Sequence, residues 1–165
     1  MTKITTTYLE MREAAELRPK RCDDTTFRIR ECVPPHWPTN RLLYLGVGEN
    51  WSWTDKREWS DEQWRGYVET KPMRTFVAYC HADPAGYYEL LGSPNSEIEI
   101  SYFGLLPAFI GRGFGGALLT SAIEEAWRMQ PSRVWVHTCS LDHFSSLRNY
   151  EARGMKIYKV ESVEK

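Results

Sequence analysis

The chain has 165 residues, a formal net charge of −1 and 42% hydrophobic residues, which suits one domain burying roughly 70% of the surface its unfolded form would expose. Lys and Arg, 21 together, nearly balance the 22 Asp and Glu, arguing against a binder of nucleic acid or anionic membrane that relies on a generic basic face. The four cysteines, Cys22, Cys32, Cys80 and Cys139, fall in no CxxC or zinc-type spacing, so a reduced, cytoplasmic protein without a metal site is expected.

The amino terminus lacks the apolar core of a leader, and no stretch approaches the 18 apolar residues of a membrane span. Residues 5–11 and 27–33 are rich in β-branched and aromatic residues that alternate with polar ones, and predict two strands. Pro34, Pro35 and Pro38 make the next segment a connection rather than a central strand. A helix is expected over 41–47, capped at Thr39 or Asn40 and stopped near Gly46 to Gly48. Ser60 and Gln63 form a capping box ahead of a second helix over 61–69.

Residues 74–80 and 86–91 predict a hairpin turned at Asp83-Pro84. A strand over 97–106 follows, then a glycine cluster and a helix over about 113–129 with Leu118, Leu119, Ala122, Ile123 and Trp127 available for a buried stripe. A strand over 133–139, a helix from Asp142 to Arg153 and a closing strand over 155–160 complete the chain. Hairpins first and a strand-helix-strand-helix-strand half second predict a mixed α+β layer sheet.

Gly111-Arg112-Gly113-Phe114-Gly115-Gly116 matches GxGxxG, but its context is not that of a dinucleotide fold. Pro107 to Ile110 separate it from its strand, and the next strand ends Val136-His137-Thr138-Cys139 with no carboxylate for a ribose. The phosphate loop of NTPases is excluded because no Lys-Ser or Lys-Thr follows the glycines. An isolated run of this kind often serves only a sharp turn. Here several unobstructed amides sit at the positive end of a long helix, which suits a pyrophosphate-sized anion, and Arg112 can add a charge.

The segment resembles the GNAT acetyltransferases, whose signature is a strand ending before Pro, then Gln/Arg-x-x-Gly-x-Gly/Ala, then an apolar helix. Phe103-Gly104-Leu105-Leu106-Pro107 is similar to the strand end and Ile110-Gly111-Arg112-Gly113-Phe114-Gly115 to the loop, with Ile110 departing from the usual Gln or Arg. A second block, His143 to Met155, is similar to the family's Asn-x-x-Ala-x-x-x-Tyr-x-x-x-Gly-Phe, with Tyr150 and Gly154 at the matching offsets and His143, Ser146 and Met155 as departures.

The resemblance implies a single domain over 1–165, with 75–160 as an acetyl-CoA-binding core and 1–70 as the acceptor side. It implies a central, mostly antiparallel sheet with a splayed fourth strand and helices on both faces. It also implies acetyl transfer to a primary amine by direct attack in a ternary complex, a reaction that needs two aligned reactants, a base and an acid. The cofactor contacts it implies are Phe103, Gly104 and Leu105 along the cofactor arm, Gly111, Arg112, Gly113, Phe114, Gly115 and Gly116 at the pyrophosphate, and His143.

Strand alternation puts Glu97, Glu99 and Ser101 on one face against Ile98, Ile100 and Tyr102 on the other. Glu99 falls where some members keep a glutamate base, and Tyr150 falls on the family's tyrosine, a candidate acid for the leaving thiolate. By residue type alone, both carboxylates read as the solvated face of a half-buried strand, and Tyr150 could be a residue packing a helix against the sheet. His137 reads as a core histidine, and Cys139 as packing.

The chain has seven tryptophans and nine tyrosines, and five of the tryptophans fall between Trp37 and Trp64. Trp51 and Trp53 are the candidate acceptor-binding residues, since aromatic walls suit an apolar or cationic amine of a small molecule or peptide. Two other readings stay open: a silent acyl-CoA-binding domain, and an aromatic cage for quaternary ammonium groups. A homodimer is also left open.

Overall fold

The computed structural model describes residues 2–51 and 53–165. In chain order it contains β1 (Lys3–Met11), a 3-10 turn at Ala14–Glu16, β2 (Phe27–Glu31), α1 (Trp37–Val47), α2 (Asp61–Glu69), β3 (Met73–Cys80), β4 (Asp83–Leu91) and β5 (Ile98–Leu105). After them come a 3-10 turn at Pro107–Phe109, α3 (Phe114–Arg128), β6 (Val134–Cys139), α4 (Ser146–Ala152) and β7 (Lys156–Glu164). The strands form one sheet in the order β2-β3-β4-β5-β6-β1-β7, antiparallel except for β5 beside β6. The mixed α+β architecture expected from the sequence is present, and β5 is the fourth strand in the sheet order.

Helices cover both faces, each because of its own apolar stripe. α3 buries Leu118, Leu119, Ala122, Ile123 and Ala126 against Tyr88, Leu90, Ile98, Ile100 and Val136, and Tyr150 of α4 joins that cluster. Burying one such aliphatic side chain contributes about 1.5–3 kcal/mol. On the other face, α1 and α2 bring Tyr44, Trp64, Tyr67 and Val68 onto Met73 and Tyr102. No helix among the described residues is long and apolar enough to cross a membrane.

Several expected boundaries are corrected. α1 begins at Trp37 with His36 as its cap residue. Pro38 lies in its first turn, where a missing N–H costs nothing, so the third proline starts the helix rather than preceding it. The hairpin turns at His81, which has φ 55°, and Asp83 and Pro84 already belong to β4. Pro84 is tolerated there because β4 meets β5 only from Gly86 onward, so no neighbour on that side needs its amide. Asp142 does not cap a helix, because α4 starts four residues later, after Ser145. β7 extends to Glu164.

The largest correction concerns alternation. Glu89 pairs with Tyr102 and Leu90 with Ile100, so Ser101 is an extra, bulged residue on β5. The bulge moves Tyr102 to the face of Glu99, away from Ile98 and Ile100.

Candidate active site

β5 and β6 pair in parallel only at Ile98 with Val134 and Glu99 with Trp135. Beyond that apex they diverge, leaving a slot through the sheet and a cavity of about 1230 Å³. Tyr102 to Leu105 form one wall, and Val136, His137 and Cys139 the other. The slot reaches Gly111, Gly115 and Gly116 on the α3 face, and Asp55, Lys56 and Tyr67 on the α1/α2 face.

At the α3 end the backbone does what side chains would obstruct. Gly111 and Gly113 have φ of +83° and +84°, and an added Cβ at either would meet nothing within 4 Å. The space is open, but the conformation is one that L residues adopt only with strain. Gly113 is the cap residue of α3, so the first amides of that helix have no intrahelical acceptor. A Cβ at Gly116 would lie 2.5 Å from both Arg153 Nη1 and Lys20 Cδ, so two cationic chains rest on the first turn. Arg153 Nε is buried with no hydrogen-bond partner, and burial lowers its pKa. Asn149 Nδ2 donates to the Gly115 carbonyl at 3.1 Å, fixing α4 to the start of α3. This end can hold a polyanion.

The Arg112 side chain does not contribute there. It stacks over Phe109 and Phe114, at 5.4 and 5.2 Å, and points an Nη toward Cys80 Sγ at 3.8 Å. Phe114 is itself buried and stacked on Phe27 at 4.5 Å. Only the backbones of these two residues are free for a ligand, and the charge expected from Arg112 comes instead from Lys20 and Arg153.

The structure brings Glu99 and Tyr150 to the same cavity. The Glu99 side chain is 18% exposed and lies 3.8 Å from His137 Nε2. Burial raises its pKa, with the charges of His137 and Lys56 pulling part of the way back. Glu97, by contrast, is 54% exposed and ion-paired to Arg133 at 3.0 Å, a solvated strand residue. Tyr150 is buried against Phe103, ring centres 6.1 Å apart; burial, then the charge of Asp142, raises its phenol above the ordinary value. His137 is not a core residue: it is exposed on β6, beside Tyr8 at 5.5 Å. Burial pushes the Cys139 thiol up, the wrong direction for a nucleophile.

The loop between α1 and α2 crosses the slot. Trp53 packs on Tyr102 at 5.0 Å and donates its indole N–H to Asp142 Oδ1 at 3.2 Å. Asp142 Oδ2 accepts from Thr138 Oγ1 at 2.6 Å and the Cys139 amide at 2.9 Å. Trp51 sets its ring edge-on to His143 at 5.0 Å. His143 Nδ1 accepts from the Ser145 amide at 3.1 Å, which leaves Nε2 for any ligand. Trp51 and Trp53 are thus clasps between the two arms as much as walls.

Sequence reasoning missed Lys20, Arg153, Lys56, Asp142 and a buried polar group behind Tyr67. There Glu89, 1% exposed, accepts from Tyr67 Oη at 2.6 Å, Asn40 Nδ2 at 2.7 Å and Ser101 Oγ at 3.2 Å. A glutamate inside a strand of aromatic and aliphatic residues was the available signal.

The sequence matches the acetyltransferase (GNAT) family over residues 35–155. Among solved structures it is similar to a GCN5-related N-acetyltransferase from Sphaerobacter thermophilus, with TM-score 0.67 and 14% identity over 96% of this chain and 49% of that one. It is also similar to a tandem GNAT protein from the clavulanic acid biosynthesis pathway, with TM-score 0.63 and 15% identity over 98% of this chain and 53% of that one. An aminoglycoside acetyltransferase from an uncultured soil metagenomic sample has TM-score 0.60 and 14% identity over 79% and 89% of the two chains. At these identities the likeness is one of fold. The first two matches are about twice as long as the segment they share with this chain. Curated proteins gave no sequence match.

Proposed function

The chain belongs to the acetyltransferase (GNAT) family, and from that membership we propose that it moves an acetyl group from acetyl-CoA to a primary amine of a small molecule or peptide, by direct transfer with both reactants held at once. The observation that carries the reading is the slot. Because β5 and β6 pair at only two positions, the β6-facing backbone groups of Phe103, Gly104 and Leu105 are free to pair with a linear amide-bearing arm as though it were another strand. Acetyl-CoA, when bound, supplies the acyl carbon as a thioester.

The residues fit such a donor. The open cradle at Gly111 and Gly113 and the unpartnered Arg153 Nε suit a pyrophosphate, with Gly115, Gly116 and Lys20 beside it. The amides of Arg112 and Phe114 belong to the same turn, and His143 keeps Nε2 for a further contact. In this reading residues 75–160 form the donor core and residues 1–70 the acceptor side.

Glu99 takes the proton from the acceptor ammonium, directly or through water. Its raised pKa makes it a stronger base than a solvated carboxylate, which is useful at neutral pH. The amine nitrogen then bonds the acyl carbon and the carbon–sulfur bond breaks. Tyr150, kept as the neutral phenol by burial, gives its proton to the departing sulfur, and the proton that the new amide nitrogen sheds restores the phenol. Trp51 and Trp53 line the acceptor path and restrict water.

Melting curves with CoA and acetyl-CoA, followed by thiol release over a panel of amines, test the reading. The expected result is a rise in Tm with either ligand and thiol release with at least one amine. Tyr150→Phe is expected to lower kcat by about a hundredfold while leaving acetyl-CoA affinity within about twofold. Equal turnover in mutant and wild type removes Tyr150 from the mechanism, and ligand binding with no turnover across the panel identifies a silent acyl-CoA binder.

A further inference from the structure

Lys56 lies in the loop joining α1 to α2, and its side chain is only 12% exposed. Its Nζ donates to Asp55 Oδ2 at 2.9 Å and to the Tyr102 hydroxyl at 3.0 Å. The same Nζ lies 4.7, 4.9 and 4.8 Å from the ring centres of Trp59, Tyr67 and Tyr102. Rings within about 6 Å of a cation attract it through their quadrupoles, the more strongly when water is excluded.

The surroundings reinforce that attraction. Tyr102 Oη donates to Asp55 Oδ2 at 2.6 Å and Tyr67 Oη to Glu89 Oε1 at 2.6 Å, so two of the three rings carry phenols polarised by carboxylates. Tyr44 Oη holds the other Asp55 oxygen at 2.8 Å. Burial alone would raise the Asp55 carboxyl, but hydrogen bonds from Tyr102, Lys56 and Tyr44 outweigh it and keep the group below the usual carboxylate range. The result is a site of fixed negative character with an ammonium in it.

That site opens into the slot. Asp55, Lys56, Tyr67 and Tyr102 line the same cavity as Glu99, and the Lys56 charge acts on both Glu89 and Glu99. Holding the loop in place does not require this arrangement. The loop is already fastened by Trp53 on Asp142 and by the Lys56 amide donating to Tyr44 Oη at 3.1 Å.

We infer that the cage of Trp59, Tyr67, Tyr102 and Asp55 is the subsite for the ammonium head of the acceptor, an unbranched primary alkylammonium, and that Lys56 is its resident occupant, displaced as the acceptor enters. The inference rests on the acyl-transfer reading. Exchange of one ammonium for another keeps a cation against the rings of Trp59, Tyr67 and Tyr102 throughout. The unbranched stem follows from the occupant: the lysine chain itself is four methylenes between rings.

The probe is n-butylammonium, with neutral n-butanol as control. Lys56→Ala is expected to bind n-butylammonium at least about tenfold more tightly than wild type, with no such gain for n-butanol. In thiol-release assays its KM for n-butylamine is expected to fall by a similar factor. Equal affinity in the two proteins, or an equal gain for the alcohol, overturns the inference.

A second measurement uses the wild type and needs no variant to fold. Reductive methylation of Lys56, mapped by mass spectrometry, is expected to be slow alone and several-fold faster with n-butylammonium, the reagent being kept in large excess over the added amine. An unchanged rate overturns the displacement. An acetyl group appearing on Lys56 with acetyl-CoA alone would make it an acceptor and also overturn its role as occupant. If wild type shows no thermal shift with acetyl-CoA, the transferase reading fails and the acceptor role with it, whereas acetyl-CoA binding without the n-butylammonium gain defeats the cage alone.

Discussion

At the α3 end of the slot the groups offered to a ligand are backbone amides and two long cations, Lys20 and Arg153; at the other end they are rings and carboxylates, gathered from α2, β4, β5 and a loop. The first end is positive, built by local chain geometry around two glycines with φ near +84°. The second is negative, built by tertiary packing around Tyr67, Tyr102, Asp55 and Glu89. The difference gives the slot an electrostatic direction that suits a polyanionic donor entering from one face and a cationic acceptor from the other. Glu99 sits at the apex between them, where donor and acceptor would meet in the proposed reaction.

Changes at the apex should be felt most. Glu99→Gln is expected to reduce kcat/KM by roughly a hundred- to a thousandfold with acetyl-CoA affinity unchanged, as measured by thiol release and calorimetry. Because the Glu99 pKa is raised and the base must be ionised, wild-type kcat/KM should climb with pH through a value above the usual glutamate range. The Gln variant should lose that limb, and a pH profile of the same shape in both proteins would take Glu99 out of the base role.

At the negative end, Glu89→Ala removes the buried acceptor of three hydrogen bonds, and urea denaturation should show a loss of about 3 kcal/mol. The pH sign follows from burial, which raises the Glu89 pKa against the pull of Tyr67, Asn40 and Ser101. The folded state therefore holds that proton more tightly than the unfolded one. The Glu89 contribution is full below the unfolded pKa and is lost as pH rises through the folded pKa. Glu89→Gln should flatten that decline, and an identical pH dependence in wild type and Gln variant would contradict it.

The positive end should give the smallest stability effect and the most selective functional one. Gly113→Val forces a β-branched residue into the left-handed region, a cost of about 1–2 kcal/mol, and should weaken CoA binding without altering n-butylammonium binding to the cage. A parallel loss of both would mean the two ends are not separable.

This contrast also explains what could be read from the sequence. The glycine turn at Gly111 to Gly116 and the strand before Pro107 were legible as elements because a backbone turn leaves its residue types in consecutive positions. The element pattern and the capping box of Ser60 and Gln63 were legible for the same reason, and both of its hydrogen bonds are present. Arg112 was misplaced because residue type does not say to which side of a turn a side chain goes. Tyr102 was put on the wrong face because one bulged residue, Ser101, inverts alternation without any mark in composition. The cage draws Asp55 and Lys56, Trp59, Tyr67 and Tyr102 from separate elements, and no spacing announces such a meeting.

The position of β1 bears on how the protein is made. Its partners are β6 and β7, with Thr6 opposite Cys139 and Val160 opposite Thr7, more than 130 residues further along the chain. During synthesis β1 emerges well before any strand that can complete it, and β2 to β5 can assemble without it. Pairing across so long a loop is entropically slow. The half of the sheet made of β6, β1 and β7 therefore forms late, and Leu9 and Met11, buried in the finished fold, wait without their partners in the meantime, which exposes apolar surface during folding.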